Sequence, residues 1–191
     1  MRLGVAKPLK RVKAKVCLVG EAAVGKTSLI RRYVLDEFDD RYITTLGAKV
    51  SKKEMSVEVP DYQVRLDLTI WDIMGEKGFR ELLKDAFFFG AKGIIAVADL
   101  TRYKTLQDLD EWVQSVFNVV GEVPVVYAIN KVDLRGHPGT YGDKEVEVHT
   151  KAFGATHHYT SAKTGQSVEA AFGALASAIL SKTAAGGGGD D

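Results

Sequence analysis

Residues 20–27, Gly20-Glu21-Ala22-Ala23-Val24-Gly25-Lys26-Thr27, constrain this chain more than any other stretch. They fit G-x-x-x-x-G-K-[ST], a loop whose backbone N–H groups converge on an anion. The flanks fit as well. Val16-Cys17-Leu18-Val19 is an apolar run short enough for a buried strand, and Leu29, Ile30, Tyr33 and Val34 recur at helical spacing. Strand, glycine loop and helix N-terminus in succession make a phosphate cradle. Gly20 and Gly25 permit a backbone path that a Cβ would obstruct. Lys26 is placed to reach β- and γ-phosphates, and the Thr27 hydroxyl to hold Mg²⁺.

The rest of the chain suits one domain around such a site. Its 191 residues allow a sizeable core, and a net charge of +1 excludes a bulk electrostatic bias toward nucleic acid or anionic membrane. Cys17 is the one cysteine, so no intrachain disulfide is possible and a reducing, cytoplasmic compartment is expected. No apolar run approaches a bilayer's thickness. The ends carry no signal-peptide core, myristoylation glycine or prenylatable cysteine, so no lipid anchor is expected. Residues 1–12 read as a basic arm, with at most weak contact to a membrane surface. Residues 183–191 read as a flexible, Gly-rich acidic tail, leaving residues 13–182 as the domain.

Strand and helix patterns alternate through that domain. After the first helix, residues 36–45 are polar and aperiodic. Met55, Val57 and Val59, then Val64, Leu66, Leu68 and Ile70, alternate with polar residues on either side of Pro60-Asp61, predicting a β-hairpin. A buried strand over residues 93–98 ends at Asp99, and Leu106, Leu109, Trp112, Val113, Val116 and Phe117 form a helix face. Further strands are expected over 123–129 and 155–159, and a helix over 145–153. Val168, Ala171, Phe172, Leu175 and Ile179 turn a last helix toward the core. The pattern predicts an α/β fold: a mostly parallel six-stranded sheet with one antiparallel strand and helices on both faces.

In such sheets ligands bind beyond the carboxyl ends of the strands. The third strand runs into Trp71-Asp72-Ile73-Met74-Gly75-Glu76. Asp72 suits the outer partner of a metal bound to phosphate, and Gly75 would let its N–H approach the terminal phosphate. The fifth strand ends in Asn130-Lys131-Val132-Asp133. An aspartate can accept from both the ring N–H and the exocyclic amine of guanine, a donor pair that adenine does not present. Asn130 can tie loops together, and the Lys131 stem can lie over the base. The sixth strand runs into Thr160-Ser161-Ala162-Lys163, whose backbone could receive the guanine carbonyl oxygen.

Arriving in this order, these motifs resemble the Ras superfamily of small GTPases, most closely its Rab-like branch, over residues 13–181. The resemblance implies a small G domain of the P-loop NTPase fold. It would bind GTP or GDP with Mg²⁺, hydrolyse GTP slowly and act as a molecular switch. It implies protein effectors and regulators at two switch regions, and no nucleic-acid partner. By the same resemblance Gly20, Glu21, Ala22, Ala23, Val24, Gly25, Lys26, Thr27 and Ser28 surround the phosphates. Thr45, rather than Thr44, is the first-switch threonine, and joins Thr27 and Asp72 as a Mg²⁺ ligand. Phe38 lies edge-on to the guanine, Tyr42 covers the phosphates, and Asn130, Lys131, Asp133, Ser161, Ala162 and Lys163 take the base. Lys26, Thr45, Gly75 and Glu76 are the candidate catalytic residues. Residues 86–91 resemble the Rab segment that closes the second switch.

Three departures stand out. The water-positioning glutamine of the family falls at Glu76, a carboxylate without the amide's donor. Ile73 and Met74 replace small residues, so Met74 is expected to pass close to the metal and phosphate and to redirect the second switch. The lipidation cysteines of typical Rabs are missing. These departures keep open a non-hydrolysing, nucleotide-bound scaffold, whereas residues 130–133 disfavour an ATPase or small-molecule kinase. His157 and His158 are adjacent and point to opposite faces of a strand, and His137 is expected in a solvated loop. Of Phe87, Phe88 and Phe89, at least one is expected to be exposed.

Overall fold

The computed structural model describes residues 8–41, 43–58 and 63–186. Among them, strands β1 (Leu9–Val19), β2 (Ala48–Glu58), β3 (Gln63–Ile73), β4 (Ala91–Asp99), β5 (Val125–Asn130) and β6 (Thr156–Tyr159) form one sheet. Their order is β2-β3-β1-β4-β5-β6. Only β2, paired with β3, runs antiparallel; the other pairs are parallel. Helices α1 (Lys26–Leu35) and α6 (Val168–Gly186) cover one face. Helices α2 (Lys77–Phe88), α3 (Tyr103–Gln107), α4 (Leu109–Val120) and α5 (Asp143–Ala152) cover the other. This is the α/β sheet expected from the alternating patterns.

The period-two geometry of a strand splits each central strand between two cores. Val16 and Leu18 pack toward α1 and α6, whereas Cys17 and Val19 pack toward α4. Central strands buried on both sides therefore read as unbroken apolar runs. Tyr33 of α1 stacks on Phe172 of α6 with ring centroids 3.9 Å apart, a pairing that adds about 0.5–1.5 kcal/mol beyond burial. At Gly93 a Cβ would lie 2.9 Å from the Leu175 and Ile179 methyls, so glycine lets α6 lie close on β4.

Several elements are longer than the apolar runs that announced them. β1 starts at Leu9 rather than Val16 and pairs with β3 from its first residue. In this outer half Val12 and Ala14 face the core while Arg11 and Lys13 are exposed, so the basic run is in part strand. Residues 1–7 of the expected arm lie outside the described residues, as do Val59 and the Pro60-Asp61 turn. β2 begins at Ala48, and α6 continues to Gly186, past the expected domain end at 182. The single helix expected around residues 106–117 is divided at Asp108, which caps both α3 and α4. Trp112 and Phe88 are buried, and Phe89 is 77% exposed.

The parallel arrangement brings the carboxyl ends of β1, β3, β4, β5 and β6 to one edge. The chain leaves β1 for β3 on one side and returns to β4 on the other. This reversal of direction opens a crevice at the end of β1.

Candidate functional site

The loop after β1 is held in a shape that its glycines alone permit. Gly20 has φ +135°, and a Cβ there would lie 2.3 Å from the Val97 carbonyl oxygen. Gly25 has φ +100°, and its Cβ would meet Asn130 Nδ2 at 2.3 Å. Ala23 adopts the left-handed region at φ 61° despite its Cβ, at a cost of about 1–2 kcal/mol. The loop borders a cleft of about 690 Å³. Ala22, Ala23, Gly25, Lys26, Thr27 and Ser28 line it from the loop, and Phe38 and Thr45 from the segment after α1. Asp72, Gly75 and Glu76 line it from the end of β3, and Asn130, Lys131, Asp133, Ala162 and Lys163 from the ends of β5 and β6. Gly20, Val24 and Ser161 are buried behind the lining, and Glu21 is half-buried. Tyr42 lies outside the described residues.

Lys26 is buried at the first turn of α1, and its Nζ donates to the Gly20 and Glu21 carbonyls at 2.7 and 2.8 Å. Burial holds its pKa down to about 8, against the opposing pull of Asp72 and Glu21. Thr27 Oγ1 donates to Asp72 Oδ2 at 2.5 Å and lies 2.9 Å from Thr45 Oγ1. Three oxygens from three segments thus meet, with Thr45 supplying the one from the segment after α1. Asp72 Oδ1 is buried with no hydrogen-bond partner among the described residues. Burial accordingly raises the Asp72 pKa, with Thr27 and Lys26 opposing. An orphaned carboxylate oxygen beside two hydroxyls is a donor set for a hard divalent cation, so these residues fit Mg²⁺.

Gly75 lies directly against the loop: a Cβ would come within 2.4 Å of Ala22 N and 2.5 Å of the Glu21 carbonyl carbon. Met74 does not approach the cleft, contrary to expectation. Its N–H donates to the Gly47 carbonyl at 3.0 Å, extending the β2–β3 ladder by one residue, and its side chain is buried away from the lining. The ladder thus turns the bulky side chain inward and keeps Gly75 against the loop. Glu76 follows at the cleft rim, exposed and extended, immediately before α2.

On the opposite side, Asn130 Nδ2 donates to the Val24 carbonyl at 2.9 Å. Its Oδ1 accepts from Thr160 Oγ1 at 3.2 Å and Ala162 N at 3.3 Å. One amide therefore ties the loop to the segment after β6. Lys131, left-handed at φ 67°, extends its Nζ to the Ala23 carbonyl at 3.0 Å and to Asp99 Oδ2 at 2.6 Å. Burial opposes the Asp99 charge, but bonds from Lys131 and Thr101 outweigh it and hold the carboxyl below its usual range. Asp133 lines the cleft with Oδ1 already accepting from Ser161 Oγ at 2.6 Å. Ser161 Oγ in turn accepts from Thr164 N–H at 3.1 Å, which fixes the hydroxyl's direction.

The Ras family model matches residues 15–181. The chain belongs to the Ras family. Its relatives place this small GTPase in the Rab-like branch. The Ras-related protein Rab-21 of Geodia cydonium is 34% identical over 170 residues, covering 88% of this chain and 72% of the relative. Rab-21 of Bos taurus is 35% identical over 159 residues, covering 83% and 69%. Rab-13 of Canis lupus familiaris is 32% identical over 170 residues, covering 88% and 81%. Family membership carries guanine-nucleotide binding with Mg²⁺, GTPase activity and a switching role. No helix among the described residues is long and apolar enough to cross a membrane.

The small GTPase fold also uses residues that the motifs do not announce. Arg32 of α1 donates from Nε to the Ala162 carbonyl and from Nη2 to the Lys163 carbonyl, both at 2.8 Å, pinning the segment after β6. Nothing near Arg32 in the sequence points to that contact. Asp99 had a weak signal, since it closes an apolar strand at the same edge as Asp72 and Asn130.

Proposed function

We propose that the cleft binds GDP or GTP with its phosphates along residues 20–27, reads guanine with Asp133, and hydrolyses GTP slowly. One observation carries this reading: Lys26, the Thr27–Asp72–Thr45 oxygens and the Asp133 carboxylate, from four separate segments, line one cleft. Bound Mg²⁺ would neutralise phosphate charge, held by Thr27, Thr45 and Asp72. Lys26 Nζ, now shared between two loop carbonyls, would turn to the β- and γ-phosphates, and the loop N–H groups would stabilise charge that develops there. Asp133 Oδ2 and Oδ1 would accept the guanine donors while Ser161 keeps the carboxylate aimed. Phe38 and Lys131 would flank the base, and Gly75 would bring its N–H to the terminal phosphate.

Thr45 and Gly75 would hold the two switches in the GTP state and release them after hydrolysis. Glu76 at the rim supports a role in orienting the attacking water. The exposed side chains Ile43, Leu46, Val50 and Phe89 around the switches support docking of protein effectors and regulators.

The test is to denature freshly purified protein, identify the released nucleotide and follow single-turnover hydrolysis of bound GTP. Stoichiometric guanine nucleotide and slow conversion of GTP to GDP are expected. Adenine nucleotide would overturn the base assignment. Bound GTP that is never hydrolysed would make the chain a nucleotide-bound scaffold.

A further inference from the structure

The four variable residues of the loop are each held from behind by a different side chain. Trp112 Nε1 donates to Glu21 Oε1 at 3.2 Å, and Arg102 Nη2 to the Ala22 carbonyl at 3.1 Å. Lys131 Nζ donates to the Ala23 carbonyl at 3.0 Å, and Asn130 Nδ2 to the Val24 carbonyl at 2.9 Å. Lys131 and Asn130 belong to the base motif. Arg102 and Trp112 belong to no motif; they come from the residue capping α3 and from the buried face of α4. We propose that Arg102 and Trp112 are positioning residues that hold the phosphate loop in its anion-binding shape and thereby slow the release of nucleotide. The proposal rests on the assignment of residues 20–27 as the phosphate loop.

The argument starts from the peptide bond. In a trans peptide the carbonyl of one residue and the N–H of the next point in opposite directions. A donor that draws the Ala22 carbonyl outward therefore turns the Ala23 N–H inward, toward the cleft. The Ala22–Ala23 peptide needs such a hold most, because Ala23 is left-handed at φ 61° without being glycine. Strained conformations of this kind persist only where the surroundings over-determine them. Arg102 is well suited to the task because it is itself fixed. Its Nε donates at 3.0 Å to Asp99 Oδ2, the oxygen that also accepts from Lys131. Thr101 binds the other oxygen of Asp99 through both its N–H and its hydroxyl, at 2.9 and 2.7 Å. One buried carboxylate thus aligns the cations that hold two successive loop carbonyls. Trp112 acts one residue earlier. Its ring is fully buried, so the indole N–H holds the Glu21 side chain against α4.

The experiment follows dissociation of a fluorescent GDP analogue from Arg102→Gln, Arg102→Lys and Trp112→Phe, with Tm measured in parallel. Arg102→Gln is expected to speed release about tenfold at little cost in Tm. Arg102→Lys should restore part of the wild-type rate, because a single ammonium can still donate to the same carbonyl but gives up the separate Nε bond to Asp99. Trp112→Phe keeps the ring and loses the donor, and should speed release several-fold. With Trp71→Phe, Trp112 becomes the one remaining tryptophan. Its emission should then change when nucleotide is stripped with chelator. Wild-type release from both Arg102→Gln and Trp112→Phe would overturn the proposal. So would faster release that tracks a loss of Tm equally in Arg102→Gln and Arg102→Lys, since that is structural damage. Unchanged GDP affinity in Lys26→Ala would overturn the phosphate-loop assignment itself, a separate failure.

Discussion

Thr27 Oγ1 donates a 2.5 Å hydrogen bond to Asp72 Oδ2, joining the first turn of α1 to the end of β3. The same hydroxyl lies 2.9 Å from Thr45 Oγ1, so one side chain connects the glycine loop both to β3 and to the segment after α1. Local sequence places Thr27 beside the loop, but only the fold brings Asp72 and Thr45 to it.

Thr27→Val keeps the volume and removes the hydroxyl. GTP affinity in the presence of Mg²⁺ is expected to fall roughly 10–100-fold, the worth of a hydrogen bond to a charged group. The variant should also lose most of its response to Mg²⁺. Titrations with and without chelator measure both. A full Mg²⁺ response in Thr27→Val would remove this hydroxyl from the ligand set.

Lys26 makes nucleotide binding a proton-linked event. Burial lowers its pKa from 10.5 to about 8, so between those values the unfolded chain binds a proton that the folded protein does not. The stability of the protein alone therefore rises with pH across that window, and the Lys26 contribution is least favourable below it. Phosphate charge beside the ammonium works in the opposite direction. GDP binding at about pH 9 should take up protons, seen as calorimetric heats that differ between buffers of different ionisation enthalpy. Equal heats in the two buffers, or the same uptake in Lys26→Met, would contradict this linkage.

Asp133→Asn should shift preference from guanine toward xanthine, because the new amide can donate where xanthine carries a carbonyl oxygen. The loss for GTP is expected to be roughly 1.5–3 kcal/mol. Competition between GTP and xanthosine triphosphate reads it out. Unaltered affinity for both would place the base elsewhere.

Glu76→Ala should change single-turnover GTP hydrolysis at least several-fold, given a carboxylate at the cleft rim directly after Gly75. A well-placed general base contributes about 10²–10⁴-fold, and a poorly placed one less. Starting with all GTP bound separates chemistry from affinity. Identical rates in variant and wild type would leave Glu76 a solvated residue at the start of α2.

How much of this was legible in the sequence depended on the range over which each residue acts. The loop, Asp72 and residues 130–133 announce themselves because each motif sits at the end of an apolar strand. The extra length of β1 was hidden, since Arg11 and Lys13 alternate with Val12 and Ala14 and break the apolar run. Met74 departs from the expected path because its N–H joins the Gly47 carbonyl and its side chain is buried, neither of which spacing alone shows. The contacts of Arg32, Arg102 and Trp112 carry no sequence signal for a common reason. Their partners lie 130, 80 and 91 residues away, and no local pattern encodes such a pairing.

The restraints behind the glycine loop also order events in time. The Ala22, Ala23 and Val24 carbonyls wait for donors 80, 108 and 106 residues further along the chain. A nascent chain that has emerged from the ribosome through Val120 already displays its glycine loop, while Asn130 and Lys131 are still hidden in the exit tunnel. Such a fragment has Arg102 and Trp112 but lacks two of the four donors that hold the loop, so a nucleotide has less purchase on it. Ligand that binds only the finished fold stabilises only that fold. GDP or GTP would then act as a late seal on newly made protein, and interrupted translation products would stay unliganded and open to proteolysis.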